Sequence, residues 1–286
     1  MCDQDQLAAM GPTVSRRQFA KFGALATAAA CAPLYPAQAQ GGLAETEAHF
    51  DAPGGKMDAF FVRPSQGKYP AVIVWPDIAG LRDSFMAMSR RLARTGYAVL
   101  VLNPYYRDQE APQFDDFDDW RTQGGMEKVA PWREQLTAPN IMETAKAVVA
   151  WLDQQEAVDT AKGIGTQGYC MGGPFTVWTA AAVPERVKAA ASFHGGGLVG
   201  DADTAPVKLL GQTQASYFFA IAKNDDTSAP GDKGALQAAA AAAGRPAEIK
   251  VYRGDHGWTV ADSPVYDYDE DDASWERLLN LYETAL

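Results

Sequence analysis

One uninterrupted run of apolar residues constrains the fold more than any other feature of the sequence. Residues 71–75 read Ala-Val-Ile-Val-Trp, with no polar residue among them. A short β-rich run of this kind is typical of a strand buried on both faces, as in a parallel sheet covered by helices. The chain must therefore supply neighbouring strands beside this segment and helices above and below it.

Strand-like and helix-like patterns alternate along most of the chain. Helices are predicted where apolar residues recur at three- and four-residue spacing, and strands where short β-rich runs end at turn residues. This alternation predicts a mostly parallel central sheet with helices on both faces, in a single α/β domain. The predicted strands span 60–63, 71–75, 97–102, 163–168, 189–193, 217–222 and 247–252, and the predicted helices span 82–95, 140–155, 171–182, 236–243 and 274–285.

One connection, residues 103–139, does not fit this alternation. It is polar and aromatic and is interrupted by proline and glycine. Connections of this length are usually functional lids or disordered segments. Its acidic residues lack the loop spacing of known calcium motifs, so solvated surface is the favoured interpretation. They are Asp115, Asp116, Asp118 and Asp119.

The N-terminus has the organisation of an export signal. Arg16 and Arg17 precede a mildly apolar run at residues 22–32, and Ala37-Gln38-Ala39 has the small-x-small pattern that signal peptidase accepts. The apolar run is too short to cross a bilayer, which takes roughly twenty helical residues. The order of these features resembles a twin-arginine signal.

This interpretation predicts that residues 1–39 are removed and that residues 40–286 form the mature domain. The mature protein would be periplasmic or secreted, and the twin-arginine export machinery and signal peptidase would be its transient partners. An alternative places Cys31 in a lipoprotein cleavage box, although Ala28 stands where that box usually has leucine.

Charge and residue inventory exclude several classes of function. Asp and Glu number 36 against 25 Lys and Arg, so the net charge of −11 makes nucleic acid an unsuitable partner. The sequence has three histidines and three cysteines, and two of the cysteines lie in the predicted signal, so no Cys/His zinc cluster is expected. The mature chain would keep one cysteine, Cys170, and could form no internal disulfide.

That cysteine lies in the segment Gly168-Tyr169-Cys170-Met171-Gly172, where a predicted strand meets a predicted helix. The segment has the G-x-S-x-G pattern of a nucleophile elbow, with cysteine in place of serine. Glycines are needed there because a strand that turns abruptly into a helix brings the flanking residues close together. The helix N-terminus favours an anion at Cys170, and the N–H of Met171 can stabilise a developing oxyanion. A small buried cysteine is the alternative for the motif taken alone.

Two further residues follow later strands in the order that this chemistry requires. Asp225 comes after the strand at 217–222, and His256 comes after the strand at 247–252. Nucleophile, acid and histidine is the chain order of α/β-hydrolase triads. His256 would take the thiol proton, and Asp225 would orient the imidazole.

Two other residues compete for these roles. Asp226 adjoins Asp225 and is the alternative acid. His194 also ends a strand, but it precedes the acid in the chain, so a structural or pocket-lining role is expected for it.

From about Phe50 to the C-terminus, the sequence resembles the dienelactone hydrolase family. The resemblance rests on the cysteine elbow, the Asp225 and His256 segments, and the segment Trp75-Pro76-Asp77-Ile78-Ala79-Gly80-Leu81. It implies the α/β-hydrolase fold and a small ester or lactone as substrate.

The resemblance also implies roles for individual residues. Ile78 would supply the second oxyanion N–H, and Asp77 stands where the family usually has a glutamate that helps to control thiol ionisation. Arg107 matches an arginine that binds the substrate carboxylate. A second family arginine, expected soon after the histidine, is replaced here by the stretch Thr259, Val260 and Ala261.

The sequence as a whole predicts an exported hydrolase that cleaves a small ester or lactone of the dienelactone type through an acyl-enzyme. It needs no metal or organic cofactor. The missing second arginine leaves open a broader carboxylesterase or thioesterase. A non-catalytic periplasmic binding protein on the same scaffold is the alternative from another class, and the complete set of cysteine, aspartate and histidine argues against it.

Overall fold

The computed structural model describes residues 42–286 of the protein, so the signal predicted at residues 1–39 lies outside the described residues. Eight strands form one sheet. They are β1 (Leu43–Ala52), β2 (Gly55–Pro64), β3 (Ala71–Trp75), β4 (Ala98–Leu102), β5 (Ile164–Tyr169), β6 (Val187–Phe193), β7 (Ser216–Ile221) and β8 (Ala247–Val251). The strand order is β1-β2-β4-β3-β5-β6-β7-β8. Strands β1, β2 and β4 pair antiparallel in that order, and the remaining pairs, from β4 through β3 and on to β8, are parallel.

Nine α-helices are formed by the described residues. They are α1 (Asp83–Ala93), α2 (Phe117–Thr122), α3 (Gly125–Arg133), α4 (Ala138–Leu152), α5 (Gly173–Ala182), α6 (Pro206–Leu209), α7 (Lys223–Ser228), α8 (Asp232–Ala242) and α9 (Tyr268–Ala285). Within residues 42–286, no helix has the length and apolar character needed to span a membrane.

The predicted architecture is confirmed, since a mostly parallel sheet is covered by helices on both faces. Every predicted strand and helix is present, with ends shifted by several residues. Strand β1 is an addition that the sequence pattern does not predict, because half of its residues are exposed and it carries no apolar run. Its position is set by its hairpin with β2, whose turn places Gly54 at φ 88°.

Strand β3 explains why the sequence needs an uninterrupted apolar run. Ala71, Ile73 and Trp75 belong to the core on one face of the sheet, together with residues of α4, α5 and α8. Val72 and Val74 belong to the core on the other face, together with residues of α1 and α9. All five side chains are buried, so a polar residue at any of them would lose its hydration without a partner.

The C-terminal ends of the parallel strands bring the candidate residues to one edge of the sheet. Ile78 follows β3, Cys170 follows β5, Asp225 lies just after β7, and His256 lies after β8. Because parallel strands all end at the same edge, residues separated by almost 180 positions become neighbours. Such an edge is the usual location of active sites in α/β proteins.

The connection at residues 103–139 is a folded insertion that contains α2 and α3. Phe114, Phe117 and Trp120 form a buried cluster with Ile78, at the same edge of the sheet. The Asp116 side chain caps α2 by accepting from the N–H of Asp119. The insertion therefore covers the sheet edge that carries the candidate residues.

Candidate active site

Strand β5 passes into α5 through a 3-10 turn at Cys170–Gly172. Cys170 has φ 53°, a left-handed backbone conformation that non-glycine residues rarely adopt and that recurs at functional sites. A Cβ on Gly168 would collide with the carbonyl oxygen of Gly172, and one on Gly172 would collide with that of Trp75. The glycines of the motif are therefore required by the close crossing of backbone at this junction.

The predicted acid and base are hydrogen-bonded. Nδ1 of His256 lies 2.7 Å from Oδ2 of Asp225. Because an ionised carboxylate only accepts, Nδ1 carries the proton, and Nε2 is the nitrogen left for the thiol. Oδ1 of Asn224 accepts from the backbone N–H of His256 at 2.9 Å and from that of Asp225 at 3.1 Å. Asn224 thus fixes both members of the pair, a role that the sequence pattern did not indicate.

Asp226, the alternative acid, forms an ion pair with Lys233. Both of its carboxylate oxygens accept from Nζ of Lys233, at 2.7 and 2.8 Å, on the exposed side of α8. Of the two adjacent aspartates, Asp225 is therefore the one that contacts the histidine.

His256 and Cys170 contact each other in a nearly dry environment, with 6% and 5% of their surfaces exposed. Burial alone would lower the pKa of His256. The charge of Cys170 and the hydrogen bonds to Asp225 and Cys170 outweigh burial and raise that pKa above its ordinary value. A raised imidazole pKa favours a protonated His256 beside an ionised thiol.

Four of the predicted residues line one cavity of about 240 Å³: Ile78, Cys170, Met171 and His256. A cavity of this size fits a small substrate, since pockets for drug-sized ligands start at roughly 300 Å³. Its other walls are Arg133, Leu136, Pro174, Phe175, Trp178, Gly196 and Gly197. Among residues 42–286, no group of three or more His, Cys, Asp or Glu side chains is arranged to hold a metal ion.

Tyr105, from the insertion, contacts both residues expected to form the oxyanion hole. Its hydroxyl donates to the carbonyl of Ile78 at 2.7 Å and lies 3.5 Å from Sδ of Met171. Its ring packs on Trp132 with centroids 5.4 Å apart. The insertion thereby holds the peptide groups beside the thiol, and sequence reasoning missed this residue because it lies in a segment without periodicity.

Arg133 brings a positive charge to the cavity from the end of α3. Of the residues that line the cavity, it carries the one side chain with a permanent charge. Within residues 42–286 no carboxylate lies at ion-pair distance from it, and its Nη1 lies 3.8 Å from Sδ of Met126. Its charge is therefore available to a ligand.

Arg107 does not line this cavity, so the geometry gives no support to its predicted role in binding the substrate. Its Nη2 donates to the carbonyl of Asn140 at 3.1 Å and to Oγ1 of Thr144 at 2.9 Å, both in α4. The side chain lies against Gly54 in the β1–β2 turn and borders a separate surface cavity. The β1–β2 turn and α4 together set the direction of the Arg107 side chain. Neither element belongs to the sequence segment around Arg107.

Asp77 is paired with Arg82, a residue that the sequence pattern does not single out. Nη1 and Nη2 of Arg82 donate to the two oxygens of Asp77 at 2.7 and 2.9 Å, and Nε and Nη2 donate to Asp262 at 2.7 and 2.8 Å. Burial opposes the charge of Arg82, but the two carboxylates raise its pKa above the ordinary value. Control of thiol ionisation by Asp77 stays a prediction.

Three segments that surround the cavity meet at Arg82. Asp77 precedes Ile78 in the loop after β3, and Asp262 follows His256 in the loop after β8. Oδ2 of Asp262 also accepts from the N–H of Phe117 at 3.1 Å, at the start of α2. The ion cluster Asp77–Arg82–Asp262 therefore fastens the insertion and both loops to one point.

His194 has the structural position expected for it, beside the cavity but not lining it. It is 1% exposed, and its Nδ1 accepts from the backbone N–H of Cys170 at 3.1 Å.

Comparison with known proteins assigns this arrangement to a family, since a model described as the dienelactone hydrolase family matches residues 57–286. The chain belongs to the dienelactone hydrolase family. The match runs from β2 to the end of α9 and therefore includes every candidate residue and the insertion.

Relatives across bacteria support the same assignment. A protein of Synechocystis is 28% identical over 77% of this chain and 88% of its own length, and one of Salmonella typhi is 27% identical over 89% and 94%. Both are named as carboxymethylenebutenolidases, so this dienelactone hydrolase family member is a hydrolase of ester or lactone type.

Solved structures share the fold. A structure named as a dienelactone hydrolase from Klebsiella pneumoniae has a TM-score of 0.71 at 23% identity, covering 85% of this chain and 99% of that one. The dienelactone hydrolase of Anabaena variabilis has a TM-score of 0.58 at 15% identity, with the same coverage.

The ion cluster makes stability depend on Asp262. Asp262→Asn removes one of the two charges that compensate buried Arg82, so we expect it to lower the free energy of unfolding by about 2–4 kcal/mol at pH 7. Burial alone would raise the pKa of Asp262, but Arg82 lowers it below its ordinary value. The contribution is therefore complete above the unfolded pKa of about 3.9 and is lost as pH falls through the lower folded value. Urea unfolding between pH 3 and pH 7 measures both effects.

The matched control is the exposed ion pair between Arg90 and Glu45, whose side chains are 32% and 37% exposed. Glu45→Gln should change the free energy of unfolding by less than about 1 kcal/mol. If Asp262→Asn had an effect no larger than Glu45→Gln, the cluster would contribute no more than a surface pair.

Proposed function

We propose that this member of the dienelactone hydrolase family is an exported enzyme that opens a small anionic lactone or ester through a cysteine acyl-enzyme. One observation supports the mechanism above all: His256 contacts both Cys170 and Asp225 at a cavity that Ile78 and Met171 also line. The relatives named as carboxymethylenebutenolidases support the substrate class.

In the first half of the reaction, Sγ of Cys170 attacks the carbonyl carbon of the substrate. The carbonyl oxygen becomes an oxyanion and is stabilised by the backbone N–H groups of Ile78 and Met171. The C–O bond then breaks, and the imidazolium of His256 protonates the departing oxygen. In a lactone that oxygen stays on the same molecule, so ring opening leaves the whole substrate bound as a thioester.

In the second half, water attacks the thioester. His256 accepts a proton from the water, and Asp225 stabilises the resulting imidazolium through the bond to Nδ1. Collapse of the second tetrahedral intermediate breaks the C–S bond, releases the carboxylate product and restores the pair of Cys170 and His256. One water is consumed for each ester bond cleaved.

The proposed anionic character of the substrate rests on Arg133. Arg133 has no carboxylate partner at ion-pair distance within residues 42–286 and lines the cavity together with the apolar residues Leu136 and Trp178. A carboxylate on the substrate would meet that charge while a ring or short chain contacts the apolar wall. Arg133 would thus perform the role that the family resemblance assigned to Arg107.

We also propose that export uses the twin-arginine route. The order of Arg16 and Arg17, the apolar run and Ala37-Gln38-Ala39 supports it. A twin-arginine substrate is transported folded, so the enzyme would reach the periplasm with its strained elbow already formed.

The nucleophile and the acid can be tested with adjacent residues. Cys170→Ala should abolish hydrolysis of p-nitrophenyl esters, and Asp225→Asn should lower kcat by about two to four orders of magnitude because the histidine loses its charged partner. Asp226→Asn is the matched control and should keep wild-type activity, since its carboxylate pairs with Lys233. Circular dichroism checks that each variant is folded. Substantial hydrolysis by folded Cys170→Ala would contradict the mechanism.

The substrate class can be tested with two arginines. A charged hydrogen bond to a carboxylate contributes about 1.5–3 kcal/mol, so Arg133→Met should lower kcat/KM for an anionic lactone by about ten- to a hundredfold. Neutral p-nitrophenyl acetate should be hydrolysed at nearly the wild-type rate. Arg107→Met should leave the ratio of the two activities unchanged. No fall on either substrate for Arg133→Met would favour a broader esterase without anion preference, and an equal fall on both would show that Arg133 supports the fold or the reacting groups instead.

Export can be tested independently of activity. Arg16→Lys with Arg17→Lys should leave an unprocessed precursor in the cytoplasm, because recognition depends on the guanidinium groups and not on charge alone. Cell fractionation with N-terminal sequencing of the mature form, expected to begin near Gln40, measures this. Normal processing of the double variant would refute the twin-arginine assignment.

A further inference from the structure

His194 does not line the cavity, and the reaction proposed above assigns it no step. It follows β6 with φ 39°, and 1% of its surface is exposed. Its backbone N–H donates to the carbonyl of Ala220 at 2.8 Å, which anchors it between β6 and β7. A histidine held in a left-handed conformation inside the protein is costly, because both the backbone and the polar ring must be compensated.

Both ring nitrogens of His194 are engaged, and their partners fix the tautomer. Nδ1 accepts the backbone N–H of Cys170 at 3.1 Å, so Nδ1 carries no proton. Nε2 therefore carries the proton and donates to Oγ1 of Thr259 at 3.3 Å. Burial, and then the charge of neighbouring His256, lower the pKa of His194 well below its ordinary value. The lowered pKa favours the neutral ring.

These two bonds join the segments that carry the nucleophile and the base. Cys170 is the strained residue of the elbow, and Thr259 lies three residues after His256. The His194 ring also packs against the rings of His256 and Trp258, with centroids 4.8 and 5.2 Å apart. A shift of the elbow relative to the loop after β8 would break one bond or the other.

We propose that His194 is a positioning residue that couples the nucleophile elbow to the catalytic histidine loop. One ring nitrogen of His194 bonds to the backbone of Cys170, and the other bonds to Thr259 in the loop of His256. These two bonds keep the thiol of Cys170 and the imidazole of His256 in a fixed relative position. The inference rests on the proposed roles of Cys170 and His256. His194 does not line the cavity, so it acts on the chemical step and not on substrate binding.

The proposed reaction also requires that the His194 ring beside His256 be neutral. His256 must accept a proton during the reaction, and a second cation 4.8 Å away would oppose it. Because His194 gives its only lone pair to Cys170, it cannot take a proton without breaking that bond. The same hydrogen bond therefore holds the elbow and keeps the neighbour of His256 uncharged.

The experiment is a double-mutant cycle between the two ends of the link. Thr259→Val keeps the shape of the side chain but removes the acceptor for Nε2. His194→Asn tolerates positive φ and places Oδ1 where Nδ1 was, so it keeps the bond to Cys170 and loses the bond to Thr259. Each variant loses one hydrogen bond, so each should lower kcat by about two- to tenfold with KM unchanged. The double variant should be no worse than either single variant.

The rate at which iodoacetamide alkylates Cys170 is a second readout that involves no ester substrate. It should fall in the same pattern as kcat, because the contact of Cys170 with His256 promotes thiol ionisation. The matched control is Thr213→Val, a buried, hydrogen-bonded threonine just before the start of β7, at the opposite edge of the sheet. It should lower the Tm and leave kcat and alkylation at the wild-type values.

Two outcomes would overturn the proposal. Additive losses in the double variant would show that His194 and Thr259 act separately and not through the bond between them. Wild-type kcat and alkylation in both single variants would show that the link has no positioning effect. These outcomes differ from failure of the proposed function, which would appear as activity retained by Cys170→Ala.

Discussion

A guanidinium buried between two carboxylates is the interaction on which the site depends. Arg82 is fully buried and bonds to Asp77, five residues away, and to Asp262, 180 residues away. An uncompensated charge in the interior costs several kcal/mol, so the loops after β3 and β8 must lie where both carboxylates reach the guanidinium. Because Ile78 and His256 belong to these loops, the ion cluster fixes the relative position of the proposed oxyanion donor and the proposed base.

The insertion at residues 103–139 is attached to the same point and forms part of the cavity wall. Phe117 donates its N–H to Asp262, and its ring lies 5.7 Å from the guanidinium of Arg82. From this attachment the segment extends over the cavity, where Tyr105 holds Ile78 and Arg133 presents its charge. The proposed reacting groups thus lie on the sheet edge, while the groups proposed to select a substrate lie on the insertion.

Backbone strain is concentrated where the proposed chemistry takes place. Among residues 42–286, the non-glycine residues with positive φ are Cys170 and His194, and a hydrogen bond joins them. Each follows a buried strand of the sheet, so the packing of β5 and β6 can hold conformations that an isolated turn would not keep. In these backbone conformations, Cys170 lines the cavity and the ring of His194 bonds to the backbone of Cys170.

The sequence by itself determined the layers of the fold and which residues gather at one edge of the sheet as candidates for the reaction. Apolar runs such as 71–75 specify doubly buried strands, and parallel strands bring Cys170, Asp225 and His256 to one edge whatever the packing details. Tertiary structure alone decided where long polar side chains point. Arg107 bonds to α4, although the family resemblance placed it at the substrate, and Arg133, which the sequence analysis did not single out, lines the cavity. The direction of a flexible cation is set by carboxylates, carbonyls and apolar surfaces from distant segments, and no local pattern contains them.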